Sequence, residues 1–243
     1  MIKYIAIGVI AFLASMLVFV PASTASHFLP SHIVGNKFQG NIWQGSAGSL
    51  RVNNVDIGSV SWKIKPACLV TFKLCADVIQ SHARAKSSFK INVRNNIELY
   101  DLQASGDTAM FSALLSKYGI TTSGDFEANL SKAFFRNNQI ETLEGNILFT
   151  SLALNGVLRV LMGDVNSNFL PQTDYTQIDI ANNNGHIDLS GTVQLFTDMS
   201  YEVDMQLRQN ANSDETIVNG MQYLGKKQAD GSVRLQQKGQ LNI

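Results

Sequence analysis

The run Tyr4–Val20, YIAIGVIAFLASMLVFV, holds seventeen residues without a charge. As a helix it spans roughly 25 Å at about 1.5 Å per residue, close to the hydrocarbon thickness of a bilayer. Lys3 and the free amino terminus flank its outer side, so the positive-inside rule keeps the first residues in the cytoplasm and places the rest of the chain across the membrane. The same run can be read as the apolar part of a cleaved signal peptide, because Ser23, Thr24 and Ala25 supply small residues of the kind a signal peptidase reads. Pro21 ends the helix in either case. Both readings export the body of the chain, in a bacterium to the periplasm. The organisation expected is a cytoplasmic start and transmembrane anchor over residues 1–20, a linker over 21–36 and a periplasmic β domain over 37–243.

Lys+Arg and Asp+Glu both number 19, so the formal net charge is zero. With neither an overall basic excess nor an acidic tail, a nucleic-acid partner is not expected. Charged residues make up 16% of the chain, below the usual quarter or so. Asn, Ser, Thr and Gln carry the polarity instead, which suits an exported β protein. The two cysteines, Cys68 and Cys75, would close an eight-residue loop. In an oxidising compartment they form a candidate disulfide, worth roughly 2.5 kcal/mol by loop-closure entropy. Free buried thiols are the alternative. The spacing does not fit a CxxC redox centre.

After residue 37 the apolar residues alternate, as strands require. Leu50 and Val52 lead into Asn53-Asn54, and Val55 and Ile57 lead out, so a two-residue turn there pairs Val52 with Val55 and Leu50 with Ile57. Ile178 and Ile180 precede Asn184-Gly185, and a tight turn at those residues sets Ile180 opposite Leu189. Asn95-Asn96 and Asp230-Gly231 mark two further hairpins. Two segments have helical period instead. Asp107–Gly119 places Met110, Phe111, Leu114, Leu115 and Tyr118 on one face, with Asp107 as its cap; Ser213–Gly225 does the same with Ile217, Val218, Met221 and Leu224. Met162–Thr173, MGDVNSNFLPQT, reads as a long surface loop. The fold class expected is all-β, mainly antiparallel, with a curved sheet, the N-terminal transmembrane helix and one or two short helices.

No catalytic constellation emerges. His27, His32, His82 and His186 lie in unrelated contexts, and none makes an HExxH pair. Gly45-Ser46-Ala47-Gly48-Ser49 lacks the GxSxG order of a nucleophile elbow. Asp125, Glu127, Asp179 and Asp188 read as solvated outer positions of strands. No catalytic, cofactor-binding or metal-binding residue is expected, and no enzymatic activity.

Gly40-Asn41-Ile42-Trp43-Gln44-Gly45-Ser46-Ala47 follows a G-x-[LI]-W-x-G-x-A pattern. Val60 to Pro66, VSWKIKP, ends a strand as W-x-[LI]-x-P. Asp230-Gly231 and Lys238-Gly239-Gln240-Leu241 form a closing "DG…G-x-L" hairpin. Together with Pro21-Ala22-Ser23 after the apolar run, these segments resemble the N protein family of the type II (general) secretion pathway. The resemblance makes Gly40, Trp43, Gly45, Ala47, Trp62, Pro66, Gly231 and Gly239 signature positions; the cysteines are not part of it. It implies an accessory inner-membrane protein with one span and a periplasmic β domain, whose partners are other secretion-system subunits of the inner membrane and periplasm. Trp43 and Trp62 are expected to pack together or under one end of the sheet. The family is in turn distantly similar to AsmA-like envelope proteins, which makes a lipid-handling groove the competing expectation. If the helix Asp107–Gly119 sits on the apolar sheet face, that face is core; if it stands aside, a groove remains.

Overall fold

A computed structural model describes residues 19–241 except 28, 30–32, 53, 54, 95, 117, 118, 137, 138, 157, 222 and 224. The expected membrane segment lies outside the described residues up to residue 18. Among the described residues no helix is long and apolar enough to cross a membrane. The chain forms two compact units, residues 1–94 and 95–243.

The first unit holds β1 (Ile33–Gly40), β2 (Gln44–Val52), β3 (Val55–Ile64), β4 (Leu74–His82) and β5 (Ala85–Val93). Each pairs antiparallel with its neighbour in sequence. A short 3-10 helix, Ala22–His27, packs on β1 and β2, and a second, Pro66–Thr71, joins β3 to β4. β1 starts at Ile33, inside the stretch expected to be linker. Val52 pairs with Val55 as the alternation requires, with the turn itself outside the described residues. Leu50, however, faces Gly58 and not Ile57. Gly58 takes φ +80 and lies so close to β4 that a Cβ there would stand 2.4 Å from the Ser81 carbonyl. Asp56 Oδ1 accepts a bond from the Gly58 amide. The irregularity is local: Ala47–Val60 on one side of it and Arg51–Asp56 on the other keep the same register.

The second unit holds β6 (Ile97–Asp107), β7 (Thr121–Arg136), β8 (Gln139–Asn155), β9 (Arg159–Pro171), β10 (Tyr175–Asn183), β11 (Ile187–Phe196), β12 (Ser200–Gln209), β13 (Lys226–Lys227) and β14 (Val233–Gln240). Neighbours in sequence pair antiparallel as far as β12; β14 then pairs with β12, and β13 lies on the outer side of β14. The Asp230-Gly231 turn forms between β13 and β14, with the Gly231 amide donating to the Gln228 carbonyl. The strands around Asn95-Asn96 form as β5 and β6 on either side of the unit boundary.

The expected loop Met162–Thr173 is instead mostly strand β9, which runs to Pro171. Its loop-like residues are the outward half of an alternation. Val165 and Ser167 are buried while Asn166 and Asn168 are exposed. The expected Ile180–Leu189 pairing is also displaced: Ile180 faces Gly191. Asn182 is the cause. Its Nδ2 donates to the carbonyls of Met162 (2.6 Å) and Ile187 (2.9 Å), and its Oδ1 accepts from the Leu189 amide (2.6 Å). The side chain replaces backbone pairing across the last rung, so the loop is longer than two residues. The shift is two residues, which leaves the apolar face unchanged.

Both helical segments are shorter than their periodicity suggests. Asp107 does cap the first, accepting from the Ala109 amide, but the helix is a 3-10 turn, Thr108–Phe111, running into α1 (Ser112–Leu115). Met110 is 45% exposed, whereas Phe111 packs on Phe126 of β7 with ring centroids 5.2 Å apart. Thr108, fully buried, donates to the Gly124 carbonyl. This segment therefore sits on the sheet. The second is α2 (Glu215–Met221), capped by Asp214 Oδ1 on the Ile217 amide. Ile217 and Met221 close a buried cluster with Met162, Val165, Ile187, Leu207 and Val233.

Two outcomes are expected. Asn182→Ala strands the Leu189 amide and two carbonyls, and lowers unfolding free energy in a urea titration by about 2–3 kcal/mol. The second concerns acid. The Arg234 guanidinium hydrogen-bonds Asp204 and holds its carboxyl below the ordinary 3.8; the Ser200 and Ser232 hydroxyls do the same for Asp198 and Asp230. A lowered folded-state value stabilises the fold above 3.8, and that stability drains away as pH falls further. The urea midpoint should therefore drop below that pH, with a smaller drop in Asp204→Asn.

Candidate functional site

Gly40, Trp43, Gly45, Ala47, Trp62, Pro66, Cys68 and Cys75 gather around the β1–β2 and β3–β4 connections of the first unit. The corner is organised by Asn41. Its Oδ1 accepts from the Trp43 (3.0 Å) and Gln44 (2.8 Å) amides, folding the chain into a tight turn between β1 and β2. Gly40 enters that turn at φ +81, where a Cβ would stand 2.4 Å from the Gln44 carbonyl. Gly45 leaves it beneath the Trp62 ring; a Cβ there would lie 2.7 Å from both that ring and the Asn41 carbonyl. The Trp62 indole N–H donates to the Ile42 carbonyl at 2.9 Å, and its ring meets Phe38 edge-on at 6.4 Å. The aromatic partner identified for Trp62 is thus Phe38, on β1. Ala47 is 1% exposed, as is Ala22 of the helix packed on β1 and β2.

The chain leaving the apolar N-terminal run joins this corner. The Ile42 amide donates to the Val20 carbonyl, and Pro21 bridges Asn41. On the other side the Ile64 amide donates to the Trp43 carbonyl at 2.7 Å, and the Lys65 amide to the Cys75 carbonyl at 2.8 Å. A hollow of about 540 Å³ opens beside Trp62, lined by Gln39, Gln44, Lys63, Asp77 and Ile79 among others.

Pro66 starts the 3-10 helix at a position that needs no amide donor. Cys68 and Cys75 are bridged, with Cα atoms 5.9 Å apart. The bridge closes a loop whose apolar side chains are exposed. Val70 and Phe72 are each 83% exposed, Leu69 44% and Leu74 43%. Phe72 holds φ +55 at the helix C-terminus, a place that favours glycine, at a cost of about 1–3 kcal/mol. The cysteine spacing signalled this loop. Its apolar exposure follows from the intervening LVTF, which sequence alternation alone does not separate from core.

Gly231 and Gly239 lie in the other unit. Gly231 turns β13 into β14 at φ +82; Gly239 faces Tyr201 of β12, whose ring leaves no room for a Cβ. Asp125 and Glu127 are exposed on β7, as expected. His186 Nδ1 accepts from the Leu161 amide and His82 Nδ1 from the Arg84 amide. Among the described residues no group of His, Cys, Asp and Glu could hold a metal ion.

The formal neutrality of the chain conceals a partition. Residues 1–94 contain ten Lys and Arg against two acids, Asp56 and Asp77, a net of +8; residues 95–243 contain nine against seventeen, a net of −8. The total charge gave no hint of this.

Trp62→Phe keeps the ring and loses the indole bond, and should cost about 1 kcal/mol in urea unfolding of the whole chain. Gly45→Ala should cost more, because backbone and ring both occupy the space a methyl needs.

A family model described as type II secretion system (T2SS), protein N, matches residues 33–236. Neither the curated proteins nor the solved structures give a match. The matched region contains every signature position from Gly40 to Gly231, and Gly239 falls just beyond it. Membership carries with it association with other components of that secretion system and a place in the cell envelope. The chain belongs to the type II secretion system protein N family.

Proposed function

We propose that this protein is an accessory inner-membrane component of the type II secretion system, a scaffold without chemistry that helps export folded proteins across the outer membrane. In this reading Tyr4–Val20 is the single span, the amino terminus is cytoplasmic, and the β units work in the periplasm. The observation that carries the scaffold role is the outer edge of β1. Among the described residues that strand pairs with β2 on one side only, so its other side offers backbone donors and acceptors to an added strand. Lys37 is its one charged residue, and Val34 on it is 63% exposed.

The lipid-groove reading needs an open apolar face. The segment Thr108–Leu115 and helix α2 both seat on the sheet of residues 95–243, which weighs against an open trough. Mass spectrometry of the purified chain separates the two: a clean spectrum fits the scaffold, and stoichiometric phospholipid the groove.

Deleting the gene should reduce secretion of folded exoproteins into the medium. Val34→Lys should reproduce part of that loss with an unchanged melting temperature, because a charge on an edge strand blocks pairing. Undiminished export in the deletion strain would sink the proposal.

A further inference from the structure

We infer that the disulfide-closed loop Cys68–Cys75 inserts its apolar tip into the surface of an anionic lipid bilayer. The inference rests on the reading of Tyr4–Val20 as a membrane span.

The tip comprises Leu69, Val70 and Phe72, all exposed, with exposed Leu74 at its base as the first residue of β4. Part of its backbone is bonded from within, which lowers the cost of entering a water-poor layer. The Cys68 amide donates to the Lys65 carbonyl, the Phe72 amide to Leu69 and the Lys73 amide to Cys68. The Thr71 hydroxyl also donates to the Cys68 carbonyl. Internally bonded backbone is what a bilayer tolerates. The bridge to Cys75 fixes the loop on β4, so little freedom is left to lose on insertion.

Charge selects the partner. Around the base of the loop stand Lys63, Lys65, Lys73 and Arg94; Arg94 belongs to this end because Leu74 pairs with Val93. The acid facing them is Asp77, bonded to Lys65 at 2.7 Å. An apolar tip with a cationic collar fits lipid tails below and anionic headgroups around. The surrounding unit, at a net +7 with Lys3 left on the cytoplasmic side, adds a longer-range attraction of the same sign.

Position completes the argument. Three hydrogen-bonded rungs lie side by side at one end of the sheet: Val20 with Ile42, Trp43 with Ile64, and Lys65 with Cys75. At the usual strand spacing the loop therefore starts within about 15 Å of Val20. If the apolar run ends at Val20 in the membrane surface, the loop faces that same surface.

The test uses the full-length chain with the photoreactive residue benzoylphenylalanine at position 72, or at position 84 in the β4–β5 turn at the opposite end of the sheet. Each is reconstituted into vesicles of phosphatidylethanolamine with phosphatidylglycerol, or of phosphatidylcholine alone, and irradiated. Expected are lipid adducts at 72 several-fold more frequent than at 84, and fewer in the zwitterionic vesicles. Alkaline extraction of a parallel sample reads the anchor separately. A chain that resists extraction yet gives no excess of lipid adducts at 72 overturns this inference and leaves the anchor standing. A chain that is extracted but shows the excess beforehand overturns the anchor and supports the loop. In native membranes, a protein adduct at 72 in place of lipid also overturns the inference and makes the tip a subunit contact.

Discussion

Backbone pairing between strands adjacent in sequence is the constraint from which the rest of this structure follows. Among the described residues of the first unit the buried apolar side chains are Ala22, Ala47, Cys75, Ala76 and Ala85, too small to bury much surface at about 25 cal/mol per Å². Larger side chains there remain partly exposed. What holds such a sheet is the ladder itself, in which each strand satisfies the amides and carbonyls of the next. The ladder's geometry is then set by the few residues that interrupt it. Gly58 interrupts the β2–β3 ladder locally, and Asn182 substitutes its own amide for a rung between β10 and β11. Where helices do seat on the second unit, they add the cluster around Ile217 and Met221.

These interruptions divide what the sequence discloses from what it hides. Alternation located most strands and the faces they bury, because burial follows side-chain parity. Register is a finer matter. Val52–Val55 follows from a two-residue turn, yet Leu50 and Ile180 each take a different partner. In both cases one residue makes a bond that no periodicity encodes. β9 was hidden for the opposite reason: Asn166 and Asn168 look like loop residues when read singly and like strand residues when read in alternation with Val165 and Ser167. The helices are shorter than their apolar spacing because that spacing extends past the point where packing ends, and Met110 is left outward.

At the corner of the first unit, chemistry and register serve the same end. Asn41 makes the turn, Gly40 and Gly45 clear the space, and Trp62 bonds back to Ile42 through its indole. None of these residues needs a substrate to account for it. The signature positions were legible as residue types, and their roles could be guessed as turn, bulge and packing. The roles of Asn41 and Phe38 were not, since an asparagine and a phenylalanine have many uses and only the folded chain chooses among them.

The same corner gathers the chain that leaves the apolar run, the tip of the disulfide loop and part of a strongly basic unit. A basic unit as thin as this one carries self-repulsion with little core to oppose it. Such a unit gains when something anionic lies against it, because neutralisation then stabilises the folded sheet through binding. The second unit is acidic to the same degree but has a real cluster and several ion pairs, among them Arg234–Asp204 and Lys238–Glu202. Packing thus opposes charge repulsion more in the second unit than in the first, where an anionic surface against the sheet would offset it.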